Sequence, residues 1–141
     1  MYGNENIFIG YMAGHSHIGL NPDNPPNPGS LDIGNRNTYV GYKSGYSSTI
    51  SGFNTMVGCS AGLNNLASSN TFIGDASGIS NTTGAKNVFL GTSSGSRNIT
   101  GANNIFLGVH VGFGNEDGSS NVAIGSGAGS TLKSGNGNVI I

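Results

Sequence analysis

Seven times along the chain an asparagine is followed by three apolar or β-branched residues and a glycine, as NIFIG, NTYVG, NTMVG, NTFIG, NVFLG, NIFLG and NVAIG, and an eighth copy reads NVII. The leading residues are Asn6, Asn37, Asn54, Asn70, Asn87, Asn104, Asn121 and Asn138. From Asn37 onward they recur at 17, 16, 17, 17, 17 and 17 residues, and Asn6 precedes Asn37 by 31, one period plus an insertion of 14. A short apolar run returning at a fixed period of this length predicts one strand per coil and coil stacked on coil. The chain therefore reads as an all-β, parallel β-solenoid of about eight 17-residue coils, forming a single domain over residues 1–141.

With each register Asn counted as position zero, position one is β-branched in every copy, from Ile7 and Thr38 to Val122 and Val139, and position three is branched and apolar, from Ile9 to Ile141. Position two is apolar as well: Phe8, Tyr39, Met56, Phe72, Phe89, Phe106, Ala123 and Ile140. Side chains alternate along a strand, so positions one and three share a face and position two takes the other. A strand apolar on both faces expects cover on both, as in parallel sheets. We expect positions one and three, with the small residues at position seven, to fill the coil. Phe8, Tyr39, Met56, Phe72, Phe89, Phe106 and Ile140 would then form an outward stripe for self-association. The reverse assignment also leaves an apolar face outside, and identical copies of the chain are the economical cover for either.

Glycine keeps the same phase. It holds position four as Gly10, Gly41, Gly58, Gly74, Gly91, Gly108 and Gly125, position eight from Gly14 to Gly129, and recurs three residues ahead of most register asparagines, accounting for 20 of the 26 glycines. Glycine at a fixed phase marks backbone that needs positive φ or close approach, so these glycines and the register asparagines are read as coil-turn residues.

One stretch breaks the repeat. Residues 20–33 hold all four prolines (Pro22, Pro25, Pro26 and Pro28) and cannot form a central strand, so they are expected to leave the coil as a loop between the first and second coils. Such an insertion is decorative, contacts a neighbour, or lies on a binding face.

Composition narrows the function. Charged residues make up 8% of the chain and the net charge is −1, with Arg36, Lys43, Lys86, Arg97 and Lys133 scattered singly, which gives no electrostatic case for nucleic acid or an anionic membrane. No apolar run approaches a membrane span, and the N-terminal residues lack the charged start and apolar core of a signal peptide. Cys59 is alone and admits no internal disulfide. His15 and His17 have strand-like spacing for one side, but no third ligand matches them, and Glu116 and Asp117 are adjacent and poorly placed as an acid and base couple. The run Gly125 to Gly129 is explained by register glycines rather than a phosphate loop. The sequons at Asn81 and Asn98 are of the kind chance supplies in an Asn- and Thr-rich chain. No catalytic, cofactor or metal residue is predicted.

The phrase NTFIG-x3-G, followed by a return glycine and a new asparagine, resembles the head repeats of trimeric autotransporter adhesins of the YadA type, and more closely the related repeats of phage and bacterial tail fibres. The resemblance covers residues 1–19 and 34–141. It implies a left-handed parallel β-roll, three chains side by side, and an extracellular, cell-surface or virion location as a stalk or adhesive head. It also implies turn and coil-closing roles for the register asparagines and position-four glycines. YadA-type heads commonly have a shorter period than the one found here.

The expectation is thus a non-enzymatic structural protein without cofactor. It would associate with itself as a trimer or filament, and the first and last strands share a register that would let one molecule stack on the next. The alternative is a head that binds a cell-surface receptor or carbohydrate, suggested by the proline loop with Tyr11, Tyr42 and Tyr46. An ice-binding solenoid is disfavoured because the column Thr38, Thr55, Thr71 ends at Val88.

Overall fold

The computed structural model describes residues 5–17 and 34–141. The proline-rich loop lies outside the described residues. Eight short strands follow the predicted positions: β1 (Ile7–Ile9), β2 (Thr38–Val40), β3 (Thr55–Val57), β4 (Thr71–Ile73), β5 (Val88–Leu90), β6 (Ile105–Leu107), β7 (Val122–Ile124) and β8 (Val139–Ile140). They form one parallel sheet in chain order, each residue paired with its counterpart one period away, as in Thr38↔Thr55 and Phe72↔Phe89. The described residues contain no helix. The repeat period is therefore the register of the sheet, and the chain is a β-solenoid.

The interior is the reverse of the expected one. Position two points inward: Tyr39, Met56, Phe72, Phe89 and Phe106 are completely buried and Ala123 nearly so, with Phe8 and Ile140 packed against the ends of the same column. These residues cannot form an outer association stripe. Positions one and three face outward instead. The reason is cross-section, because a 17-residue coil has room for one large side chain per layer and not for two branched ones. Its opposite wall is built to receive that single side chain. Gly95 has φ 56°, and a Cβ there would stand 2.6 Å from Cδ2 of Phe89. The small residues at position seven fill the remaining space, and Ser44, Ser77 and Ser94 each donate a hydroxyl hydrogen bond to the position-two carbonyl of the following coil.

Stacking follows from register. Phe72, Phe89 and Phe106 lie nearly parallel, with ring centroids 4.9 and 5.0 Å apart, close to the interstrand spacing of a β-sheet. Phe8 stacks on Tyr39 in the same way at 4.9 Å. Burial pushes the Tyr39 phenol up from its ordinary value, opposed by its 2.7 Å hydrogen bond with Ser48.

Glycine at position four closes the turn. Gly74 has φ 131°, and a Cβ there would come within 2.6 Å of the Gly91 carbonyl carbon. Two further left-handed positions per coil are made mostly without glycine. Twelve other described residues take φ between 51 and 64°, at position six (Met12, Lys43, Ser60, Ala76, Ser93, His110) and immediately before the register Asn (Arg36, Phe53, Ser69, Lys86, Asn103, Ser120). Left-handed backbone costs an ordinary L-residue about 1–2 kcal/mol. Here intercoil hydrogen bonds hold it, such as Ala76 N–H to Cys59 O at 2.9 Å and Asn103 N–H to Ala85 O at 3.0 Å.

Candidate functional site

The register asparagines do more than mark a turn. They are buried from Asn37 to Asn121, and each Oδ1 accepts a hydrogen bond from the backbone N–H of the next one: Asn37 to Asn6 at 2.8 Å, Asn87 to Asn70 and Asn104 to Asn87 at 2.9 Å, Asn138 to Asn121 at 3.0 Å. The Nδ2 group crosses the coil to a carbonyl fourteen residues on, as from Asn70 to Gly84, Asn87 to Gly101 and Asn104 to Gly118. One amide thus ties adjacent coils together and braces its own coil.

A second ladder stands beside it at position eleven. Asn81 donates to Asn65 Oδ1, Asn98 to Asn81 and Asn115 to Asn98, each at 2.7 Å, and each also donates to the position-fourteen carbonyl of its own coil. Sequence reasoning missed this column and treated Asn81 and Asn98 as chance sequons. Both are fully buried, which closes them to a glycan. The signal was the recurrence of Asn65, Asn81, Asn98 and Asn115 11 residues after four successive register asparagines, Asn54, Asn70, Asn87 and Asn104. The ladder ends where Leu132 takes the position, leaving Asn115 Oδ1 buried without a partner.

The 16-residue coil locates its own deletion. Asn65 donates to Ala67, two residues on, where its counterparts reach three residues on, and Asn54 Nδ2 is buried without a hydrogen bond. The missing residue therefore falls after Asn65, in the segment that supplies the carbonyl to Asn54 in the other coils.

Position three makes the outer face of the sheet apolar along its length, whereas position one is apolar at the two ends and holds Thr38, Thr55 and Thr71 between them. Leu90 is 45% and Ile105 40% exposed; Ile7, Ile9, Val88, Ile124 and Val139 are also exposed, and Val40, Val57, Ile73, Leu107 and Val122 are half-buried. This is the surface that position two was expected to provide. The predicted coil-turn glycines Gly10, Gly41, Gly58, Gly74, Gly91, Gly108 and Gly125 all have φ between 113 and 138°.

His15 and His17 do not share a side. His15 is exposed and stacked on Tyr46 at 4.8 Å, whereas His17 turns inward, with Nε2 3.2 Å from Asn6 Nδ2 and its ring edge-on to Phe8. Burial lowers the His17 pKa, with backbone hydrogen bonds to Gly34 and Ser48 opposing it. Among the described residues no group of three or more His, Cys, Asp or Glu could hold a metal ion, and no helix is long and apolar enough to cross a membrane. Cys59 is exposed.

The geometry defines a β-solenoid repeat protein with an apolar outer sheet face. No protein-family model, curated protein or solved structure matches the chain.

Proposed function

We propose that this chain is a non-enzymatic structural segment of an extracellular fibre, stalk or adhesin, in which copies pack side by side through the outer face of the sheet, as a trimer in the resemblance to adhesin heads and tail-fibre repeats. The observation that carries the reading is the solvent-facing apolar stripe of position three, half-buried to exposed from Ile9 to Ile124, joined by position one at Ile7 and from Val88 to Val139. An apolar surface of that continuity is rarely left to water. The stacked interior supports it by giving each copy a stiff rod whose exposed face repeats at the strand spacing.

Light scattering on the purified chain tests the proposal. The chain should run as an oligomer of a 14.2 kDa unit. Replacing Leu90 and Ile105 together with Glu should reduce the mass to one unit while leaving the β-sheet circular dichroism intact, because both side chains lie outside the core. A wild-type chain with the mass of one unit, or a double variant with unchanged oligomer mass, would overturn the reading.

A further inference from the structure

The turn face of the first two coils departs from the rest of the solenoid. At position five Tyr11 stacks on Tyr42, with centroids 5.7 Å apart and planes 12° apart, and at position nine His15 stacks on Tyr46 at 4.8 Å and 9°. Tyr11 is 65% and Tyr42 48% exposed. Three of the chain's five tyrosines stand on this patch, and of the four described only Tyr39 lies elsewhere, in the core. In the next coil the same positions hold Cys59 and Leu63, so the aromatic columns stop there.

Lys43 joins the two columns. Its ammonium sits 5.3 Å from the Tyr42 ring centroid and 5.6 Å from that of Tyr46, and it makes no ion pair with a described residue. No Asp or Glu occupies positions five to nine of the first three coils. Among the described residues of the patch Lys43 is the one Lys, Arg, Asp or Glu, on a chain of net charge −1.

We propose that this patch binds an acidic saccharide. Aromatic rings offer apolar surface to the C–H face of a pyranose, the phenol hydroxyls of Tyr11 and Tyr42 offer hydrogen bonds to its hydroxyls, and the Lys43 ammonium, which has no ion pair with a described residue, meets its carboxylate. The two aromatic columns are held rigid by the solenoid, so the site needs no ordering when the sugar arrives. Core packing does not require these rings, since other coils hold Thr92 or Val109 at position five and Ser96 or Ser130 at position nine. The inference does not depend on self-association through the outer sheet face, which lies on positions one and three.

The test is titration of the full chain with trigalacturonate and, in parallel, neutral galactotriose, followed by calorimetry and amide chemical shifts. Two variants borrow residues that other coils already carry at the same phase: Tyr42→Thr, as at Thr92, and Lys43→Ser, as at Ser60 and Ser93. Trigalacturonate should bind with shifts centred on residues 11–15 and 42–46. Tyr42→Thr should weaken it by about tenfold or more, and Lys43→Ser should abolish the preference over galactotriose. Circular dichroism identical to wild type certifies the fold of each variant. Failure of trigalacturonate to bind, equal binding of the neutral sugar, or unchanged affinity in Tyr42→Thr would overturn the proposal. So would loss of self-association in Tyr42→Thr with no saccharide binding by the wild type, which would make the patch a contact between copies.

Discussion

Replacing Asn87 with Ala removes one rung of the register ladder and shows how much of the coil stacking rests on it. Asn87 Oδ1 accepts the Asn104 backbone N–H at 2.9 Å, and its Nδ2 donates to the Gly101 carbonyl at 2.8 Å. The carbonyl keeps a second donor, Asn98 Nδ2 at 2.9 Å, so it stays satisfied. The Asn104 N–H loses the acceptor that served it, in a site that water does not reach. An orphaned buried donor costs about 1–3 kcal/mol, and the void left by the amide adds to it. We therefore expect the substitution to destabilise the fold by about 2–4 kcal/mol. Denaturant unfolding gives the total, and amide exchange gives its location. The Asn104 amide should lose protection by about 30-fold for each 2 kcal/mol, with the neighbouring coils affected most because each coil contacts only its neighbours. Asn87→Asp separates the two roles of the side chain. It retains the acceptor but sets a carboxylate against the Gly101 carbonyl, so burial favours the protonated acid and raises its pKa. Stability from that form is present below the unfolded carboxylate value of about 3.9 and is lost as pH rises through the folded value. An Asn87→Ala variant no less stable than the exposed control Thr92→Ala, or an Asn104 amide with unchanged protection, would refute the ladder as a stabilising element.

Gly74→Ala should cost well over the 1–2 kcal/mol of positive φ alone, because the added methyl meets the Gly91 carbonyl, whereas Gly127→Ala, with φ 74° and open space around it, should cost about 1 kcal/mol; equal midpoints for the two in urea would contradict the close-approach argument. His17 has a lowered folded pKa, so its contribution to stability is present above the unfolded value of about 6.5 and is lost as pH falls through the folded value. His17→Asn, which installs the residue that Asn65, Asn81, Asn98 and Asn115 provide at the same phase, should flatten that part of the pH profile in thermal melts, and an unchanged profile would mean that the first coil does not sense His17 protonation.

The fold class was legible in the sequence because a solenoid writes its sheet register directly into its period. Residues that stand side by side in the sheet, such as Thr38 and Thr55, are one period apart, so counting gave the eight strands, their parallel order and the glycine corners. The period could not say which face of each strand is interior, since Thr71, Phe72 and Ile73 are all compatible with burial. Only the closed coil decided it, where a narrow cross-section and Gly78 packed on the Phe72 ring admit one large side chain per layer. That reversal moved the candidate association surface from Phe89 and its column to Leu90, Ile105 and their neighbours. The second asparagine ladder was present as a spacing but gained meaning from depth, because an amide at Asn81 or Asn98 is an ordinary surface group until the coil buries it. The non-glycine left-handed residues at position six and before the register asparagines from Asn37 to Asn121 carry no common sequence signature. Lys43, Ala76 and His110 share a backbone conformation without sharing chemistry, and the hydrogen bonds from the adjacent coil, absent in an isolated strand, are what hold them there.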